Sequence, residues 1–175
     1  MRARDPFTTS RRILLLAAPL LLGLPLAAGG AEADSATGSI TVGGKTYNLE
    51  HVYARRQPNP SEKTQTVLVV LMTDKEVPKS VLDDKYRLEL TDLARDGKFR
   101  GVSVTIALDK KPTGTGWTYA KELGGAIVNR ADQHTFEPAR FDELRVEGKL
   151  SGRGTFGDDK WEYTAVFKAT PSAMK

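Results

Sequence analysis

The chain has 175 residues, with 26 Lys and Arg against 22 Asp and Glu, 39% apolar residues and no cysteine. The absence of cysteine excludes disulfides, thiolate metal ligands, a lipid-modified cysteine and a cysteine nucleophile in one step. The length suits one domain rather than two once the N-terminal stretch is set apart.

That stretch, residues 1–33, has the layout of a secretory signal. Arg2, Arg4, Arg11 and Arg12 make a basic start, Ile13 to Ala28 is apolar, and Ala31-Glu32-Ala33 forms an A-x-A cleavage pattern. Pro19, Gly23 and Pro25 interrupt the apolar run, which falls short of the about 20 residues a spanning helix needs. Cleavage is therefore expected, with no stable membrane insertion afterwards and a periplasmic or secreted product. Ser10-Arg11-Arg12-Ile13-Leu14-Leu15 also resembles a twin-arginine export signal, the alternative to the general route. Four of the 26 basic residues and two of the 22 acidic ones lie in the leader, which leaves 22 against 20 and a net charge of +2. So balanced a domain has no electrostatic footprint for nucleic acid.

After a small polar lead-in at residues 34–38, the expected domain runs over 39–170, with a fraying tail at 171–175. Ser39 to Val42 alternates, Gly43-Gly44 reads as a two-residue hairpin turn, and alternation resumes from Lys45 to Arg56. Tyr47, Leu49, His51, Tyr53 and Arg55 share one face of that second strand. The loop Gln57 to Lys63 holds two prolines. Val67 to Met72 is a run of six apolar residues, read as a central strand covered on both faces.

A helix is expected over about 80–96, with a break near Asp83-Asp84. Leu82, Tyr86, Leu90, Leu93 and Ala94 fall on one helical face, and Gly97 sits where a helix end favours glycine. Phe99 to Leu108 returns to strand, with Val102, Val104, Ile106 and Leu108 inward. Short strands are expected at Trp117 to Ala120 and Ala126 to Val128, followed by an irregular stretch from Ala131 to Arg140. Near the end, Leu144, Val146, Gly148 and Leu150 alternate with Arg145, Glu147 and Lys149. A glycine-rich polar connection follows, and then Trp161, Tyr163, Ala165 and Phe167 share a face. The fold class is mainly β: an antiparallel β-sandwich or partly open barrel of seven to eight strands with one helix.

Few motifs carry chemistry. Gly152 to Gly157 spells G-x-G-x-x-G but joins two strands, where a dinucleotide site needs a helix N-terminus. Gly43-Gly44-Lys45-Thr46 ends like a P-loop, yet position 39 is Ser39 and a strand follows. No serine lies in a nucleophile elbow, and Asp83-Asp84 and Asp158-Asp159 read as solvated acids. His51 and His134, the two histidines, lack metal-ligand spacing; a two-histidine site completed by Asp132 or Glu137 stays open in space. No cofactor is implied. The face Tyr47, His51, Tyr53, Arg55 combines aromatic area with directed donors and suits recognition. The same residues also fit a strand packed on a core.

G-S-I-T-V-G-G-K-T-Y…H-V-Y-A near the start and F-D-E-L-R-V-E-G-K-L…W-E-Y-T-A-V-F near the end resemble a group of small exported bacterial β-rich proteins of unknown function. The resemblance implies an exported β-domain and carries no residue to a mechanism. The leading expectation is a non-catalytic domain binding an envelope protein or small ligand through Tyr47, His51, Tyr53 and Arg55. The alternatives are a hydrolase-type enzyme with dispersed acids and His51 or His134, and an envelope structural protein assembling through a sheet edge.

Overall fold

A computed structural model describes residues 33–60, 62–82 and 88–173; the leader, and with it the expected cleavage pattern, lies outside them apart from Ala33. The protein is mainly β. Its strands are β1 (Ser35–Val42), β2 (Lys45–Leu49), β3 (His51–Pro58), β4 (Thr66–Thr73), β5 (Gly101–Ile106) and β6 (Thr115–Ala120). They continue with β7 (Gly125–Arg130), β8 (His134–Phe141), β9 (Val146–Phe156), β10 (Asp159–Ala169) and β11 (Ser172–Ala173). Helices α1 (Lys79–Leu82) and α2 (Leu88–Arg95) lie between β4 and β5.

Two sheets form, with strand orders β2-β1-β10-β9-β8 and β11-β3-β4-β5-β6-β7, and every neighbouring pair is antiparallel except the short β11–β3 contact. The second sheet is a meander from β3 to β7. The first joins the β1–β2 hairpin to the β8–β9–β10 meander through β1 and β10. Among the described residues no barrel closes; the architecture is the sandwich, with eleven strands there where seven to eight were expected.

The extra strands come from places where periodicity misleads. The expected single strand from Lys45 to Arg56 is two strands in different sheets, separated at Glu50, whose N–H donates to the Thr73 carbonyl at 3.0 Å. Residues 34–38, expected as a flexible lead-in, belong mostly to β1, which pairs from Ser35 opposite Lys168. Asp34 is held too: its carboxylate accepts from Arg145 Nη1 at 2.8 Å and from the Thr170 N–H at 2.9 Å. Arg145, expected on an outer strand face, is consequently buried. The tail does not simply fray, because Ser172 and Ala173 add a parallel strand beside Arg55 and Arg56. The stretch expected as irregular contains β8, an edge strand that carries Pro138 next to a bulge, where a missing N–H costs no ladder bond.

The expected glycine-rich connection after Leu150 is largely strand. Gly152 and Gly154 lie opposite Tyr163 and Trp161 in the β9–β10 register, and the actual turn is Gly157-Asp158. A Cβ on Gly152 would sit 2.7 Å from the Tyr163 ring, and one on Gly154 2.6 Å from the Trp161 indole. These glycines admit bulk across the strand pair rather than turn it. Leu108 and Leu144, expected inward, are exposed because each falls just outside its strand.

Apolar side chains collect in two places. The larger core lies between the sheets and includes Ile40, Leu49, Met72, Ile106, Leu150, Trp161 and Phe167. A smaller one lies on the other face of the six-stranded sheet, where Leu71, Tyr119 and Phe99 pack with Val77, Val81, Leu90 and Ala94. β4 is thus covered on both faces, as its unbroken apolar run predicts. α2 ends in a Schellman arrangement, with Gly97 N–H to Ala94 O and Lys98 N–H to Leu93 O, both 2.9 Å, and Gly97 at φ 71°. Residues 83–87, where the helix break was expected, lie outside the described residues. Among those described, no helix is long and apolar enough to cross a membrane.

Candidate functional site: a cavity under the helix layer

A cavity of about 230 Å³ opens between the outer face of the six-stranded sheet and the helices. Alternation along each strand supplies its sheet side: Tyr53 and Arg55 from β3, Val69 and Leu71 from β4, Ser103 from β5 and Tyr119 from β6. Their neighbours Val70, Met72, Val102 and Val104 belong to the inter-sheet core, whereas Val52 and Ala54 of β3 belong to that core and also border the cavity. The helix layer contributes Lys79 and Leu82 from α1 and Leu90 from α2, and Asp34, Thr170 and Ser172 stand at the β3 rim. Most of this lining is apolar, with hydroxyls and two cationic side chains converging on it, the usual make-up of a ligand site.

Two hydrogen bonds fasten the overlying segments to β3. Tyr53 Oη accepts the Val77 N–H at 2.9 Å, which ties down the chain between β4 and α1. Arg55 Nη1 donates to the Leu82 carbonyl at 2.9 Å, at the end of α1, and Nη2 to Gln57 Oε1 at 3.2 Å.

The four residues expected to form one recognition face divide. Tyr53 and Arg55 both line the cavity. His51 begins β3, half-buried and opposite Thr73, and is not among the lining residues. Tyr47 lies in the other sheet, where its hydroxyl donates to Glu122 Oε1 at 2.8 Å and its ring lies 4.3 Å from the Arg100 guanidinium carbon. Arg100 in turn reaches Glu122 at 3.3 Å and donates its backbone N–H to Asp74 Oδ1 at 2.6 Å. Burial opposes ionisation of Glu122 most strongly, but a backbone bond together with those from Tyr47 and Arg100 outweighs it and holds the carboxyl below its ordinary range. This group is a polar brace between sheet ends.

His134, the other histidine weighed for catalysis, is buried in the sandwich. Its Nδ1 lies 3.0 Å from Tyr163 Oη, and its ring centroid is 5.8 Å from those of both Trp161 and Tyr163. Burial pushes its pKa down to about 4 against a small opposing pull from Asp132, and burial raises that of Tyr163. Neither histidine touches the cavity. Among the described residues, no group of three or more His, Asp or Glu is placed to hold a metal ion.

Ser103, Tyr119 and Lys79 are not singled out by sequence reasoning, and Leu90 only as part of the apolar face of the expected helix. The available signal is parity: Ser103 and Tyr119 occupy the strand positions opposite the inter-sheet core, yet are 1% and 0% exposed. Only a third layer can bury that face. Comparison of the chain with protein-family models, curated proteins and solved structures gives no match.

Proposed function

We propose that the protein is an exported, non-catalytic β-domain that binds a small ligand in the cavity beneath α1 and α2. The observation that carries this reading is the cavity itself, a preformed apolar space with Tyr53, Arg55, Ser103 and Tyr119 directed onto it. A hydrolase built on His51 or His134 has less support, because neither side chain lines that space. Export rests on the leader pattern of residues 1–33.

The test is to fill the space. Val69 is 6% exposed and lines the cavity from the centre of β4, so Val69→Phe places a ring in the ligand's volume. Para-cresol and indole should produce saturable NMR shifts at the Ser103 and Tyr119 amides of the native protein and none in the variant. Absence of saturable shifts in the native protein, or unchanged binding by a folded variant, overturns the proposal.

A further inference from the structure

We infer that the free edge of β7 docks a second copy of this chain, the two β7 strands pairing antiparallel about a two-fold axis at Ile127. The inference is independent of the cavity and its ligand.

Hydrogen-bond directions along β6 and β7 define what the edge offers. The Thr115 carbonyl accepts from Thr105 Oγ1 at 3.2 Å, so it points to β5 and away from β7. Arg130, opposite Thr115, gives its N–H to Gln133 Oε1 at 2.7 Å and not to β6. That pair therefore exchanges no ladder bonds. Bonded and non-bonded pairs alternate along an antiparallel ladder, so Trp117–Val128 and Tyr119–Ala126 are of the same kind. The N–H and C=O of Ala126 and Val128 consequently face out of the sheet, and they meet no other partner among the described residues.

The other sheet edges carry devices that discourage pairing. β8 has Pro138 beside a bulge, β2 is five residues long and starts at Lys45, and β11 is two residues long after Pro171. β7 has none of these. Its sequence GAIVNR lacks proline and lysine, its register with β6 runs unbroken from Gly125 to Arg130, and Val128 is 56% exposed. The Arg130 guanidinium is drawn back onto Asp132 at 3.1 and 3.0 Å, which neutralises the charge on the strand.

A second copy matches this edge without ordering anything. An extended segment of another protein would lose conformational freedom on docking, whereas a second β7 is already a strand. The outward groups set the register. With Ile127 on the axis, Ala126 lies across from the partner's Val128, and each N–H of this pair meets the other residue's C=O. Centring on Val128 instead sets Ala126 against the partner's Arg130, whose N–H is already held by Gln133.

Sedimentation equilibrium from micromolar to millimolar protein should show reversible monomer–dimer exchange, since a six-residue edge makes a small interface. Over the same range, hydrogen exchange at the Ala126 and Val128 amides should slow. An isotope-filtered NOE between the Ile127 Hα atoms of the two copies should report the register. Val128→Pro removes an N–H that β6 does not use, once in each copy, and should weaken association by about tenfold or more. Val128→Lys, at the same exposed site, should act likewise and decides the matter if the proline variant fails to fold. Asn48→Lys, exposed on the β2 edge, should leave association unchanged. A protein that stays monomeric throughout overturns the inference, and so does a dimer that neither β7 variant weakens. A dimer weakened at Val128 but lacking the Ile127 contact overturns the register. Protection of the β7 amides that follows added cell extract and not protein concentration gives the edge to a different chain and overturns the second copy.

Discussion

The two faces of the six-stranded sheet are covered to different standards, and under the proposed function the difference separates stability from binding. The inner face meets a second sheet that matches bulk with absence of bulk: Gly148, Gly152 and Gly154 lie opposite Phe167, Tyr163 and Trp161. Such reciprocal filling leaves side chains as tightly held as in an organic crystal. On the outer face a short helix, an eight-residue helix and a loop must cover the same width of sheet, and a 230 Å³ space remains. Among the fastenings of this lid to the sheet are the Tyr53–Val77 and Arg55–Leu82 hydrogen bonds. Under the proposed function, ligand entry falls to this thinner layer, since elements that open for a ligand are drawn from the less stable parts of a fold.

The largest expected effect sets one layer against the other directly. Val146 is 0% exposed in the inter-sheet core, and Val146→Asp would bury an unpaired charge at several kcal/mol, against about 5–15 available to a domain. The sheet signal in far-UV circular dichroism should be lost at 25 °C. Leu90→Ala, on the outer face, should cost about 2–4 kcal/mol and leave the sheet signal in place. Equal melting temperatures for the two variants would erase the distinction between the layers.

His134 tests the inner layer through pH. Its folded pKa of about 4 lies below the ordinary value of 6.5 because burial disfavours the charged ring. Above pH 6.5 the ring is neutral in both states and adds no pH dependence. As pH falls from 6.5 toward 4, the unfolded chain takes up a proton that the folded one refuses, so stability declines by on the order of 3 kcal/mol. Thermal melts across that window should show the decline in the native protein and a flatter profile in His134→Gln. An equal slope in both would mean that other groups govern the acid limb.

How much of this is legible in the sequence varies with distance along the chain. Alternation reveals the β1–β2 hairpin, the doubly covered β4 and the inward faces of β9 and β10, because those patterns depend on near neighbours. The corner at Glu50 escapes it although a trace is there: inward positions are odd in β2, at Leu49, and even in β3, at Val52 and Ala54. That parity switch is what a crossing between sheets produces. β8 is hidden by Pro138, which an edge strand tolerates. For the site, Tyr53 and Arg55 stand out as an unusual strand face. Ser103, Tyr119 and Leu90 do not, since their meeting depends on where a helix lands, and Tyr47 follows the same alternation into a different sheet.

The smallest expected effect compares the two tyrosines that alternation alone would put on one surface. Tyr53→Phe removes the acceptor of the Val77 N–H, and Val77 is only 3% exposed, so a buried donor is left unpaired at about 1–3 kcal/mol. Tyr47→Phe removes a donor to Glu122, but Arg100 still reaches that carboxylate at 3.3 Å and still lies over an aromatic ring. Its cost should be about 1 kcal/mol or less. The distinguishing readout is local. In Tyr53→Phe, hydrogen exchange should quicken at Val77 and through α1, while the amides of β9 and β10 keep their native rates. In Tyr47→Phe any change should appear around Glu122 and the β2 edge and spare α1. If Tyr47→Phe proves the more destabilising, or if Tyr53→Phe loosens the inter-sheet strands, then Tyr53 is fastening the whole sandwich rather than the lid, and the outer layer is not an independent, weaker unit.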